Sequence, residues 1–181
     1  MGNFIADSVK GNKLYEYPKG ICNGIRLHRQ IDEFTDSHPI VTQSKARLRP
    51  VYGKYSGVII DLYYDHFLAA GWEVYCNESL EQFTEKCYIQ LDLLQSFFSE
   101  ESKTIFYYMR KYNWLLSYRE IEGISKALSG LARRTTFISH MEKAGIELRK
   151  DYLLYQEEFH RFFPELQTFA SGTLRRLNGA L

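Results

Sequence analysis

Gly24-Ile-Arg-Leu-His28-Arg29-Gln-Ile-Asp32-Glu-Phe-Thr-Asp36-Ser-His38-Pro39 places three acids, two histidines and two arginines in sixteen positions. His28, Asp32 and Asp36 recur every four residues, the spacing that stacks side chains along one helical face. Ile25, Leu27, Ile31 and Phe34 supply a packing surface, while Arg26 and Arg29 add anion-binding charge. Pro39 disfavours helix at His38 and closes the segment. The stretch predicts a helix over about 20–35 whose polar side carries an imidazole and two carboxylates. A solvated face needs no histidine among its acids, whereas a divalent cation with phosphate suits this set.

The rest of the chain extends the helical reading. Period-two alternation is weak throughout, and Pro18, Pro39, Pro50 and Pro164 read as breaks between helical runs. After a first segment over about 3–9, further helices are predicted over about 52–71, 79–98, 102–117, 120–143 and 146–162, with a short tail helix beyond Pro164. Ser79 and Gln82 form the Ser-x-x-Gln signature of a capping box. Gly145 reads as a helix stop. The prediction is one all-α domain over residues 1–181, long enough to bury a core.

Bulk properties exclude several classes. Net charge is +1, which argues against general nucleic-acid binding. No apolar run approaches the roughly 20 residues of a membrane span, and the start lacks the pattern of a signal peptide. Ala6 stands where a myristoylation signal needs Ser or Thr. Three widely spaced cysteines, Cys22, Cys76 and Cys87, fit reduced thiols and a cytoplasmic location, and form no zinc pattern. The 14 Tyr and 12 Phe read as large packed side chains with their hydroxyls at the rim.

Two more polar groups stand out. Asp61 and Asp65 share a face, with His66 about 100° round the same helix. An acid beside a histidine suits the rim of one metal site, or equally a histidine oriented for structure. Asp7 follows apolar Phe4-Ile5-Ala6, as a helix cap, a metal ligand or a general base would. Glu157-x-x-His160 is half of a di-iron carboxylate pattern whose other half is missing, so that site is rejected. His140 is expected near the end of an amphipathic helix, at the surface or capping carbonyls. Phosphate-loop, nucleophile-elbow and cysteine–histidine signatures are lacking.

Gly2-Asn-Phe-Ile-Ala-Asp7-Ser-Val-Lys10-Gly11, then Gly24 to Pro39, then Asp61-x-x-Tyr-Asp65-His66-Phe-Leu-Ala resemble, in that order, the acyl carrier protein phosphodiesterases. The resemblance is strong over roughly the first 75 residues and implies an all-α fold distantly like the HD-domain phosphohydrolases. It also implies a divalent metal, manganese first and magnesium as the alternative. The implied reaction cleaves 4′-phosphopantetheine from holo acyl carrier protein. On this resemblance Asp7 matches the family's essential aspartate, and His28, Asp32, Asp65 and His66 match its motif histidines and acids; from their chemistry we take Asp7 and Arg29 as catalytic and the other four as metal ligands. Lys10 and Arg49 bind substrate phosphate, aided by Arg29. Family members usually begin with a further segment carrying another histidine, so this chain reads as a shortened or divergent member. The apolar face of residues 3–9 is then expected to lack cover, leaving a groove beside Asp7 or a homo-oligomer that fills it. Two other functions are open: a carrier-protein-binding module without hydrolysis, and an HD-type hydrolase of a small nucleotide. A purely structural bundle explains the tyrosines and leaves the three polar motifs unexplained.

Overall fold

The computed structural model describes residues 2–179, and among them there is no β-strand. Gly2–Ile5 forms a single turn, α1, followed by a 3₁₀ turn over Ala6–Ser8. Both lie on α2, Lys19–Ser37, where the polar stretch quoted above is one unbroken helix. The seat is tight, because a side chain on Gly24 would place its Cβ 2.8 Å from the Gly2 nitrogen. A second, longer 3₁₀ segment, Gly11–Glu16, leads from the turn into α2.

Residues 39–51, which lie between two predicted helices, are helical as well. Pro39 opens α3, Pro39–Tyr52, at the one helical position where a missing N–H costs nothing. His38 caps it, its Nδ1 accepting the Ile40 amide at 3.3 Å. Pro50 falls in the last turn, and Gly53 at φ 53° turns the chain into α4, Ser56–Ala70. After the short α5, Trp72–Tyr75, the predicted capping box opens α6, Leu80–Asp92. Ser79 Oγ accepts the Gln82 amide at 3.2 Å and Gln82 Oε1 accepts the Ser79 amide at 3.3 Å.

Several predicted spans are shorter than expected. α6 ends at Asp92 rather than near 98, with a 3₁₀ turn at Gln95–Phe97. Asn113, left-handed at φ 45°, separates α7, Glu100–Lys111, from α8, Trp114–Ser117. α9, Ile121–Ala132, stops well before residue 143, so His140 lies in the loop that follows, at φ 56°. Gly145 does not stop a helix. It sits in the first turn of α10, Ala144–Lys150, where a Cβ would meet Ser125 Oγ at 2.2 Å. The tail beyond Pro164 is no separate helix either. α11, Tyr152–Leu177, runs through that proline, its course held by Phe159 and Phe162, buried just before it.

Two apolar centres organise these helices. Ile59, Ile60 and Tyr63 of α4 pack with Ile124, Leu128, Leu148, Tyr155, Phe159 and Phe162 from α9, α10 and α11. Ile5, Ala6, Val9 and Ile25 pack with Tyr88, Leu91, Phe98 and Phe106 from α6, α7 and the segment between them. The second centre overturns the expected bare face: Ile5 is 2% exposed and Val9 3%, with Phe4 against Phe98 at 5.0 Å between ring centroids. α11 touches α2 near both ends. Asn23 Nδ2 donates to Leu177 O at 3.0 Å, while Phe34 stacks on Phe169 at 4.5 Å and His38 Nε2 faces Glu165 Oε2 at 3.3 Å. No described helix is long and apolar enough to cross a membrane.

Candidate active site

Three side chains from two segments meet on the polar face of α2. His28 Nε2 lies 3.2 Å from Asp7 Oδ1 and 3.1 Å from Asp32 Oδ2. Asp32 arrives by helical periodicity, one turn beyond His28. Asp7 arrives because Ile5, Ala6 and Val9 are buried around it, which turns the intervening carboxylate outward. Ser8 Oγ donates to Ile5 O at 2.7 Å and tightens that turn, and Arg29 Nη2 donates to Val9 O at 2.5 Å. One donor atom from each of Asp7, His28 and Asp32 lies within 4.8 Å of the others.

This donor set fits a hard divalent cation. An imidazole nitrogen and two carboxylate oxygens suit manganese or magnesium, and three protein donors leave coordination positions for other ligands. The site is open: the Asp7 side chain is 93% exposed, Asp32 52% and His28 25%. A substrate carried on a macromolecule can therefore reach it.

A line of acids continues from this group. Burial raises the Asp32 pKa, and the charges of Asp7 and Asp36 add to it against the opposing pull of His28. Lys45 Nζ holds Asp36 Oδ1 at 3.1 Å. Across from them on α4, the Asp61 carboxyl is pushed up to about 6, first by burial and then by Asp36 and Asp32. Asp65, one turn further, is pushed up to about 7 by burial and by Asp61. Water reaches both carboxylates, yet protein surrounds them on most sides. They line a recess, which desolvates a charge without sealing it. The line of acids thus runs from the Asp7–His28–Asp32 group on α2 to Asp61 and Asp65 on α4, and the charge of Asp65 in turn helps to raise the pKa of buried Tyr118.

The other residues singled out in the sequence are placed differently. His66 does not join the Asp7–His28–Asp32 group. It is 3% exposed, with Nδ1 2.9 Å from Tyr118 O and Nε2 3.1 Å from the Tyr152 hydroxyl, so protein partners occupy both ring nitrogens. Burial lowers its pKa, and the Tyr118 carbonyl opposes that shift. Asp65 and His66 are sequence neighbours that face different surroundings, because one residue turns a helix by about 100°. Asp65 itself enters the recess through Asp61, outside the three-residue group. Lys10 is exposed just after the Asp7 turn, and Arg49 is exposed on the last turn of α3, on a helix that contributes nothing to the group. Arg29 reaches a backbone carbonyl, as described. Glu158 was missed altogether: it is 2% exposed, accepts from Ser44 Oγ at 2.5 Å and pairs with the Arg47 guanidinium, which lies over the Tyr155 ring. Its neighbour Glu157 had drawn the attention, through an i,i+3 pattern with His160.

Sequence comparison finds consistent relatives. The acyl carrier protein phosphodiesterase family matches residues 1–166. The acyl carrier protein phosphodiesterase of Photorhabdus laumondii is 28% identical over 173 residues, covering 95% of this chain and 87% of that protein. That of Enterobacter sp. strain 638 is 29% identical over 172 residues, 94% of this chain and 89% of the relative. The Yersinia pestis protein of the same name is 28% identical over 167 residues, 92% and 86% of the two chains. No solved structure matches.

Proposed function

This chain belongs to the acyl carrier protein phosphodiesterase family, and from that premise we propose that it hydrolyses the phosphodiester linking 4′-phosphopantetheine to the serine of holo acyl carrier protein. The observation that carries the reading is the open Asp7–His28–Asp32 group, polar, pre-positioned and accessible to a protein-borne substrate. The reaction adds water across one P–O bond: hydroxyl goes to phosphorus and a proton to the serine oxygen, giving free phosphopantetheine and apo carrier protein.

His28 and Asp32, one turn apart on a rigid helix, would hold a divalent cation of the manganese or magnesium class. Such an ion, when bound, supplies positive charge against the anionic diester and acidifies water. Asp7 comes from a separate segment and projects furthest into solvent. We assign it the proton of the attacking water, a role that needs a carboxylate within hydrogen-bond reach of the nucleophile. His28 Nε2 faces Asp7 Oδ1, which limits the orientations that carboxylate adopts. Lys10, exposed beside the same turn, offers charge to a phosphate oxygen.

The test is the intact mass of holo carrier protein after incubation with this chain and manganese. Loss of the phosphopantetheine mass is the expected result. Asp7→Asn and His28→Ala are expected to slow it by about a hundredfold or more, the scale of losing a general base or a positioned charge. Unaltered carrier mass with the wild-type chain across manganese and magnesium concentrations would overturn the assignment.

A further inference from the structure

Asp7 sits on a three-residue turn, and two braces hold that turn to α2. Upstream, the backbones of Gly2 and Gly24 touch so closely that no Cβ fits between them. Downstream, the chain leaves the turn at Val9 in an extended conformation, φ −97° and ψ 104°, so its carbonyl has no helical partner. Val9 is 3% exposed, and a buried carbonyl needs a donor. Arg29 supplies one through Nη2, and a charged donor makes the stronger class of hydrogen bond. Arg29 follows His28 on α2, so the helix that presents the imidazole also holds the strand of chain just beyond Asp7. The brace acts two residues after the carboxylate and on the same side of the turn.

We infer that Arg29 is a positioning residue: by holding the Val9 carbonyl it fixes Asp7 opposite His28, and it does not serve as a phosphate ligand. The inference rests on the catalytic reading of Asp7 proposed above. Arg29 is otherwise exposed, but its Nη2 has a structural partner in the Val9 carbonyl whether or not substrate is present. Losing it frees the segment Asp7–Gly11 to drift, and a drift of about 1 Å at a catalytic group costs about a hundredfold in rate.

Arg29→Met and Arg29→Lys in the full chain test this by two readouts. The first is amide hydrogen exchange across residues 6–11 without metal or substrate. Arg29→Met is expected to speed it about tenfold or more, and Arg29→Lys, which keeps one charged donor, to restore much of the protection. The second is kinetics on holo carrier protein with manganese. The Met variant is expected to lose about a hundredfold in kcat with KM within about threefold, and Asp7→Asn with Arg29→Met to be no slower than Asp7→Asn alone, because residues acting through one another are non-additive. Unchanged exchange in Arg29→Met overturns the inference. So does a large rise in KM at constant kcat, or a further loss in the double variant, since either makes Arg29 a substrate contact. If the wild-type chain turns over no carrier protein, the proposed function fails while the exchange result still decides the brace.

Discussion

Asp65→Asn should make the metal-free protein more stable at pH 8 and leave it unchanged at pH 4. In the unfolded chain this carboxyl ionises near its ordinary 3.8, whereas in the recess it ionises at about 7. Between those values the folded protein binds more protons than the unfolded chain, so stability falls as pH rises from about 4 to 7. The penalty is absent below 3.8 and complete above about 7. At about 1.4 kcal/mol for each tenfold change in proton affinity, a shift of this size carries at most about 4 kcal/mol. Water reaches the carboxylate, and screening reduces the expected value to about 1–2 kcal/mol. His66 next to it works in the opposite sense: burial lowers its pKa, so folding loses stability as pH drops below its ordinary 6.5. Comparing wild type with Asp65→Asn cancels that contribution. Urea unfolding in EDTA at pH 4, 6 and 8 reads the difference. Equal midpoints at all three values would refute the desolvated recess.

Other outcomes follow from the packing. Glu158→Ala leaves the Arg47 guanidinium without its carboxylate and is expected to cost about 3–5 kcal/mol in urea unfolding, with Glu158→Gln losing less because an acceptor for Ser44 remains. Gly24→Ala drives a Cβ to 2.8 Å from the Gly2 nitrogen and should cost about 1–3 kcal/mol in urea unfolding, and should weaken the manganese binding proposed above, measured by calorimetry. His66→Gln should remove the destabilising contribution that the buried imidazole makes below pH 6.5, read as a gain over wild type at pH 5 in urea unfolding, because an amide does not titrate there.

Local chemistry was the legible part of this chain. The helix through His28 followed from a four-residue period bounded by Pro39, and the Ser79–Gln82 cap from two side chains whose partners lie three residues apart. Proline misled where position mattered more than identity: Pro39 starts a helix at its first position, Pro50 sits in a last turn, and Pro164 is carried by the aromatic packing around it. Gly145 misled in the same way, being a contact with Ser125. Within the site, spacing alone puts Asp32 beside His28. No spacing brings Asp7 there, because its approach depends on burial of Ile5 and Val9 under helices some ninety residues later. His66 was read with Asp65, and the core decided otherwise, since adjacent helical residues face directions the sequence cannot weigh. Glu158 needed knowledge of Ser44 and Arg47 across more than a hundred residues.

The long final helix has a bearing on chemistry it never touches. A rod fastened at a single point can swivel, and one fastened near both ends cannot. α2 is tied to α11 by Asn23 at one end and by Phe34 and His38 at the other. His28 and Asp32 lie between those ties, so their aim toward Asp7 is set by a helix with no residue in the group. Removing the carboxyl-terminal turn from Leu177 onward would take away the carbonyl that Asn23 holds and let α2 swing, spoiling alignment some distance from the cut. Damage at that end of the chain should therefore register as lost alignment at the other before the helices themselves unravel.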